Sequence, residues 1–319
     1  MTSRLEPGEF ELIARYFHGM VRRDDVELGV GDDGALLTPP ADTRLVQVVD
    51  TLVADGHFPA DAAAHAVGHR ALAVNLSDLA AMAAEPAWAL LALTVPARDE
   101  AWLAEFAHGF QELAARYGVA LVGGDTTRGP LTVTLQLSGF AEEPLRRSGA
   151  WPGDRVWVSG DLGAAAGGLR AWQAGWRDGD AHELIRRFLY PEPRCDLGAA
   201  LAGVASAAID ISDGLVADAG HVAERSGAGL SLVSAQLPRA GALMRRLGDE
   251  DALELALRGG DDYELLFTAP PTHDADVEAA ASRAGVAVTA IGDVTAGSGV
   301  RVDDQPAQGG YDHFGDGRP

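Results

Sequence analysis

Apolar and polar positions alternate at Leu131, Val133, Leu135 and Leu137, which predicts a strand over Leu131–Phe140 with one buried face. Val26, Leu28 and Val30 alternate in the same way. Short apolar runs predict further strands at Leu45–Val49, Ala89–Val95, Asp154–Gly160, Leu265–Thr268, Val286–Ile291 and Val300–Val302. Helical spacing governs other stretches. Gly8–Phe17 places Phe10, Ile13, Ala14 and Phe17 on one face, and an alanine-rich helix is expected over Ala62–Ala83. Asp99 caps a helix that runs to Tyr117 and stops at Gly118, with Trp102, Phe106, Phe110 and Leu113 as its core face. Later helices are expected at Leu162–Ala174, Ala181–Leu189, Asp196–Val204 and Asp251–Leu257. Glu142–Asp154 has prolines, glycines and charges but no period, so it reads as a domain boundary. The expectation is an α+β (mixed α/β) chain with one domain over 1–142 and a second over 150–319.

Several strands end where aspartate meets glycine. Val119–Val122 reads as a buried strand, after which Gly123-Gly124 should turn sharply and present Asp125, Thr126, Thr127 and Arg128. Such a turn suits a magnesium-bound phosphate, or else Asp125 is a simple cap. Gly31-Asp32-Asp33-Gly34 is either a solvated hairpin or a ligand turn. Asp50 ends a strand, and His57 follows it shortly. Asn75 and Asp78 lie in the apolar middle of a helix, where burial demands partners, so Asp78 is a candidate ligand. In Ala207–Leu215 a short strand runs into a helix with Asp210, Ser212 and Asp213 at the junction; a plain helix cap is the competing reading. Arg258–Glu264 repeats the Gly-Gly-Asp pattern, and Arg146 and Arg147 sit centrally in the expected boundary.

Charge narrows the chemistry. The net charge of −22 argues against nucleic acid and anionic membranes as partners. All 25 basic residues are arginine, which excludes a P-loop lysine, a kinase strand lysine and a Schiff base. Phosphate chemistry must then rest on metal ions, backbone amides and arginine. Cys195 is the single cysteine, so no intrachain disulfide or cysteine-based zinc cluster can form. The first residues lack a signal-peptide core, and the longest apolar stretch, Ala71–Val95, is broken by Asn75, Asp78, Glu85 and Pro86. A cytoplasmic protein is expected. Oxygen-only ligands at Asp33, Asp50, Asp78, Asp125, Asp210 and Asp213 select Mg2+ over zinc, and several Mg2+ ions beside glycine turns suggest a nucleoside triphosphate.

The segments GVGDDGALL, VDTLVADGHF, ALAVNLSDLAAM, LVGGDTTRGP, RRSGAWPGD, AIDISDGL, GGDDYEL and GYDHF, in this order, resemble the thiamine-monophosphate kinase family of the aminoimidazole-ribonucleotide synthetase-like superfamily. The resemblance covers nearly the whole chain. It implies ATP-dependent phosphorylation of thiamine phosphate to thiamine diphosphate by direct in-line transfer. It also implies a homodimer whose N-terminal sheets join into a barrel. By the same resemblance Asp33, Asp50, Asp78, Asp125, Asp210 and Asp213 would hold Mg2+, with Asp125, Asp210 and Asp213 central to catalysis. Gly124, Asp125, Arg147 and Ser212 would contact ATP, and His57, Asp261 and Tyr311 the thiamine phosphate. Two departures stand out. Val48-Val49 replaces the family's Ser-Thr before Asp50, and GGDD replaces GGED, which shortens residue 261 by one methylene. A sister enzyme that activates an amide or carboxylate with ATP, a multi-metal phosphohydrolase, and a non-enzymatic acidic metal binder are the alternatives on the residues alone.

Overall fold

Strand-forming and helix-forming stretches segregate into two units in the computed structural model, which describes residues 15–311. The first unit takes in 15–75 together with 86–142, and the second 76–85 together with 143–311. The predicted helix Gly8–Phe17 lies outside the described residues except for its last three positions, and the aromatic tail is described as far as Tyr311.

In the first unit, β1 (Val26–Leu28) and β2 (Leu36–Leu37) form an antiparallel pair around the Asp32-Asp33 turn. Four longer strands, β3 (Arg44–Val53), β4 (Glu85–Val95), β5 (Ala120–Arg128) and β6 (Thr132–Ala141), form a sheet in the order β3-β6-β4-β5. Helices α1 (Ala64–Ala81) and α2 (Glu100–Tyr117) connect them. Asp99 caps α2 by accepting from the N–H groups of Ala101 and Trp102, and Gly118 ends it at φ 65°, as the sequence predicts. Trp88 and Phe140 pack edge to face beneath β1 and β2. The Trp88 indole and the Arg23 guanidinium both donate to Asp25, and Arg23 holds that carboxyl below the usual carboxylate range.

Two sequence expectations for this unit are corrected. Asp50 does not end its strand: β3 continues to Val53, with Asp50 opposite Leu135. Nor does the chain turn at Gly123-Gly124. β5 runs through both glycines to Arg128 because β4 supplies a parallel partner along that whole length. What the glycines permit is a bulge: Ala89 faces Leu121 but Leu90 faces Gly123. At Gly124, φ is 153° and a Cβ would lie 1.9 Å from the Leu91 carbonyl oxygen.

The second unit has a seven-stranded, mostly antiparallel sheet. Its strands are β7 (Arg155–Ser159), β8 (Ala207–Asp210), β9 (Gly229–Leu232), β10 (Leu265–Ala269), β11 (Val288–Thr295), β12 (Gly299–Val302) and β13 (Gln305–Ala307). Their order is β13-β12-β9-β11-β7-β10-β8, with β8 at one edge. Helices α3 (Ala164–Gln173), α4 (Gly179–Leu189), α5 (Cys195–Ala200), α6 (Leu215–Ser226), α7 (Gly241–Leu247), α8 (Asp249–Arg258) and α9 (Asp274–Ala284) complete it. Val156, Val158, Ile209, Leu230, Leu266 and Ile291 of the sheet bury against Leu215, Ala219 and Val222 of α6. This packing fixes the β8–α6 junction. Among the described residues no helix is long and apolar enough to cross a membrane.

Candidate active site

In the first unit a cavity of about 740 Å³ opens beside the sheet. Asp32 and Asp33 from the β1–β2 turn line it, as do Gly124 and Asp125 of β5 and Gln136 of β6. The bulge places Gly124 and Asp125 there, and the structure thus gathers Asp33, Gly124 and Asp125 on one wall system. Asp50 does not line this cavity. Its side chain shares a face of β3 with the buried Val46 and Leu52, whereas the cavity-lining Leu45 and Gln47 belong to the other face. Arg128, at the end of β5, bonds through Nε to the Pro96 carbonyl. His57 is half-buried after β3, and its Nδ1 accepts the Val53 N–H at 3.1 Å, so the ring proton sits on Nε2.

The second unit builds a more tightly bonded site. β8 delivers Asp210 to the edge of the sheet, where Oδ2 accepts the buried Ser77 hydroxyl of α1 at 2.7 Å. Asp78, half-buried, follows directly on α1. Asn75, fully buried and in the first unit, donates its amide back to the Ala71 carbonyl one turn earlier.

Three segments distant in sequence are joined here through their backbones. The Ser212 carbonyl accepts the Asp261 N–H at 2.8 Å, the Ile211 carbonyl accepts the Tyr263 N–H at 2.9 Å, and the Asp213 carbonyl accepts the Tyr311 N–H at 2.9 Å. Asp210, Ser212, Asp213, Asp261 and Tyr311 are therefore brought together. Asp261 and Tyr263 both have positive φ, at 69° and 51°, and the Tyr263 hydroxyl donates to Asp261 Oδ1 at 3.0 Å. Tyr311 also lines an open groove of about 680 Å³ with His221, Glu224 and Arg301.

Sequence reasoning missed Asp218. One oxygen of this buried carboxyl accepts the N–H groups of Ser212, Asp213 and Gly214, each at 3.1 Å, and so orders the loop that carries Ser212 and Asp213. Burial, reinforced by the charges of Asp210 and Asp213, raises its pKa to about 8. Carboxylates crowded this closely fit a hard divalent cation. Asp213, Asp218 and His221 offer ligand atoms within 4.8 Å of one another.

Two further residues of the Gly-Gly-Asp segment serve as supports. Asp262 accepts the N–H groups of Gly163 and Ala165 and so caps α3 from a distance, and loss of hydration raises its pKa to about 7. Glu264, 1% exposed, takes a paired contact from Arg194 and accepts the Ser159 hydroxyl at 2.6 Å. Arg147 is exposed, and its carbonyl accepts the Ser226 hydroxyl at 3.3 Å.

Residues 31–141 match the AIR synthase related protein, N-terminal domain, and residues 152–305 match the corresponding C-terminal domain. The thiamine-monophosphate kinase of Salmonella typhimurium is 47% identical over 96% of this chain and 98% of its own length. The chain belongs to the thiamine-monophosphate kinase family. As a member of that family it is a kinase. The solved thiamine-monophosphate kinase of Stenotrophomonas maltophilia K279a superposes with a TM-score of 0.86 at 46% identity, covering 90% of this chain and 93% of that one. AaThiL complexed with AMPPCP and TMP superposes with a TM-score of 0.80 at 33% identity, covering 96% and 97%.

Proposed function

We propose that the chain transfers the γ-phosphoryl group of ATP to the phosphate of thiamine monophosphate, giving thiamine diphosphate and ADP. The likeness over 96% of the chain to AaThiL complexed with AMPPCP and TMP is the observation that carries this reading. In the reaction a terminal oxygen of the acceptor phosphate bonds to the γ-phosphorus as the bond to the ADP oxygen breaks, in line and without a covalent phosphoenzyme. The acceptor oxygen is already anionic, so the transfer needs alignment and charge stabilisation more than a strong base.

Asp33, Asp50, Asp78, Asp125, Asp210 and Asp213 would hold Mg2+; the carboxylate crowding around Asp218 supports this for Asp210 and Asp213, and the shared cavity lining supports it for Asp33 and Asp125. When bound, Mg2+ supplies neutralisation of the triphosphate and of the charge that grows in transfer. Gly124, which lines the first unit's cavity, would contact ATP, and Ser212 offers a hydroxyl on the loop that Asp218 orders. Arg147 supplies the fixed charge that lysine supplies in other kinases. His57, with its proton on Nε2, donates to the acceptor phosphate. Asp261 meets the thiamine cation by charge, and Tyr311 meets it with an aromatic face.

Residues 1–142 form the ATP, Mg2+ and dimerisation domain in this reading, and 150–319 the C-terminal domain. Leu45, Val49, Val53 and Leu90 are all exposed on the first unit's sheet, and they support a homodimer in which two such sheets close into a barrel. Product analysis with Mg-ATP tests the substrate assignment. Thiamine monophosphate should yield the diphosphate, unphosphorylated thiamine should be a very poor acceptor, and EDTA should abolish turnover until Mg2+ is restored. Equal conversion of thiamine to its monophosphate would sink the proposal.

A further inference from the structure

The first unit carries a second constellation of metal-ligating side chains that the phosphoryl-transfer reading does not use. His65 lies in the first turn of α1, and His108 and Glu112 lie one turn apart on one face of α2. The two helices touch at a pair of glycines. A Cβ at Gly109 would lie 2.0 Å from the His65 carbonyl oxygen, and one at Gly68 would lie 2.0 Å from the Phe106 carbonyl oxygen. The backbone that bears His65 is thus seated directly on the backbone that bears His108.

As a result both imidazoles converge on one carboxylate, each from its own side. His65 Nε2 lies 3.0 Å from Glu112 Oε2, and His108 Nε2 lies 3.4 Å from Glu112 Oε1. The two rings stand edge to face with centroids 5.2 Å apart. One ligand atom from each residue falls within 4.8 Å of the others.

We infer that His65, His108 and Glu112 form a site for a borderline-soft divalent transition ion, with zinc as the natural probe. Two imidazoles and one carboxylate suit Zn2+, Co2+ or Ni2+, whereas Mg2+ favours oxygen ligands and its own waters. The donor set is that of a three-ligand zinc centre with its fourth position open to water. The ion takes the place of the Nε2 proton on each ring, and the ring protons then reside on Nδ1. Glu112 and His108 are more than half exposed, so an ion enters directly from solvent. Bound there, it ties the first turn of α1 to the middle of α2, a bridge between residues 47 positions apart in the chain.

The test uses the full-length chain stripped with EDTA, desalted, and titrated with Zn2+ in a large excess of Mg2+, which fills the oxygen-only sites. His65→Gln, His108→Gln and Glu112→Gln are compared with the unmodified chain. The unmodified chain should bind one more equivalent of Zn2+ than either histidine variant, and each variant should bind at that site roughly tenfold or more weakly. Zn2+ should raise the melting temperature of the unmodified chain and leave His108→Gln unmoved. Co2+ should give the visible absorption of a low-coordinate nitrogen–oxygen site only in the unmodified chain. His108 and Glu112 are exposed, so their variants keep the fold, and circular dichroism checks this. Unchanged stoichiometry and affinity for Zn2+ in folded His108→Gln would overturn the site.

Discussion

Asp218 shows how much a single carboxyl can decide. Folding transfers it from water to a buried position beside Asp210 and Asp213, and its pKa rises from 3.8 to about 8. The folded chain therefore binds a proton that the unfolded chain releases between those values. The stability linked to this group is full in acid and is lost as pH rises from about 4 through 8, by up to about 1.4 kcal/mol per pH unit. In metal-free protein, urea midpoints at pH 5.5 and 8 should fall more steeply for the unmodified chain than for Asp218→Asn, which keeps an oxygen acceptor for the three N–H groups but cannot ionise. Parallel pH profiles would count against the linkage. Arg147 permits a second test at this scale. Arg147→Ala should raise the KM for ATP or lower turnover far more than Arg177→Ala, because Arg177 is exposed and lies over the Trp172 ring. That Asp33, Gly124 and Asp125 share a cavity could be expected from their glycine-flanked sequences, although neither Asp50 nor Asp125 ends its strand. Asp218 was not legible from sequence, since an acidic residue in a helix's first turn is ordinarily read as a partner of the helix dipole. Its only signal is its place in Leu215-Val216-Ala217-Asp218-Ala219, where the helix is otherwise apolar.

Among the elements, α1, α2, β6 and the β8–α6 junction could be read from the sequence because period, cap and glycine agree there. The reading failed in two ways elsewhere. Gly123-Gly124 was assigned to a turn, yet the parallel neighbour β4 overrides the local preference and draws both into β5. β9, β13, α7 and α9 were not anticipated: the strands are three or four residues long, and α9 buries only Val277, Ala280 and Ala281. Glycine's meaning inside a helix likewise depends on what it faces. At Gly109 an added methyl would run into the His65 carbonyl, whereas at Gly220 in α6 no atom lies within 4 Å. Gly109→Ala should therefore destabilise the chain by about 1–3 kcal/mol or more. Gly220→Ala should stabilise it by about 0.5–1 kcal/mol through better helix propensity. Denaturant titration of the two variants side by side checks the opposite signs.

For the whole molecule, the first unit's sheet leaves an apolar face exposed. Val49, on the edge strand β3, is 62% exposed. If this face pairs with a second copy, the unmodified chain should behave in light scattering as twice its 33.2 kDa mass, and Val49→Glu should behave as a single chain. An unmodified chain of single mass at micromolar concentration would rule out the barrel. The backbone bonds that join Ile211–Asp213 to Asp261, Tyr263 and Tyr311 bear on a different question. They are made by peptide groups, but they hold only where glycine stands beside them, since a Cβ at Gly260 would lie 2.2 Å from the Ser212 carbonyl oxygen. A glutamate at position 261 would carry its carboxylate one methylene farther from the same backbone nitrogen that bonds the Ser212 carbonyl. A change at Gly260 would accordingly disturb all three segments at once, whereas a change at Asp261 alters only what one side chain reaches.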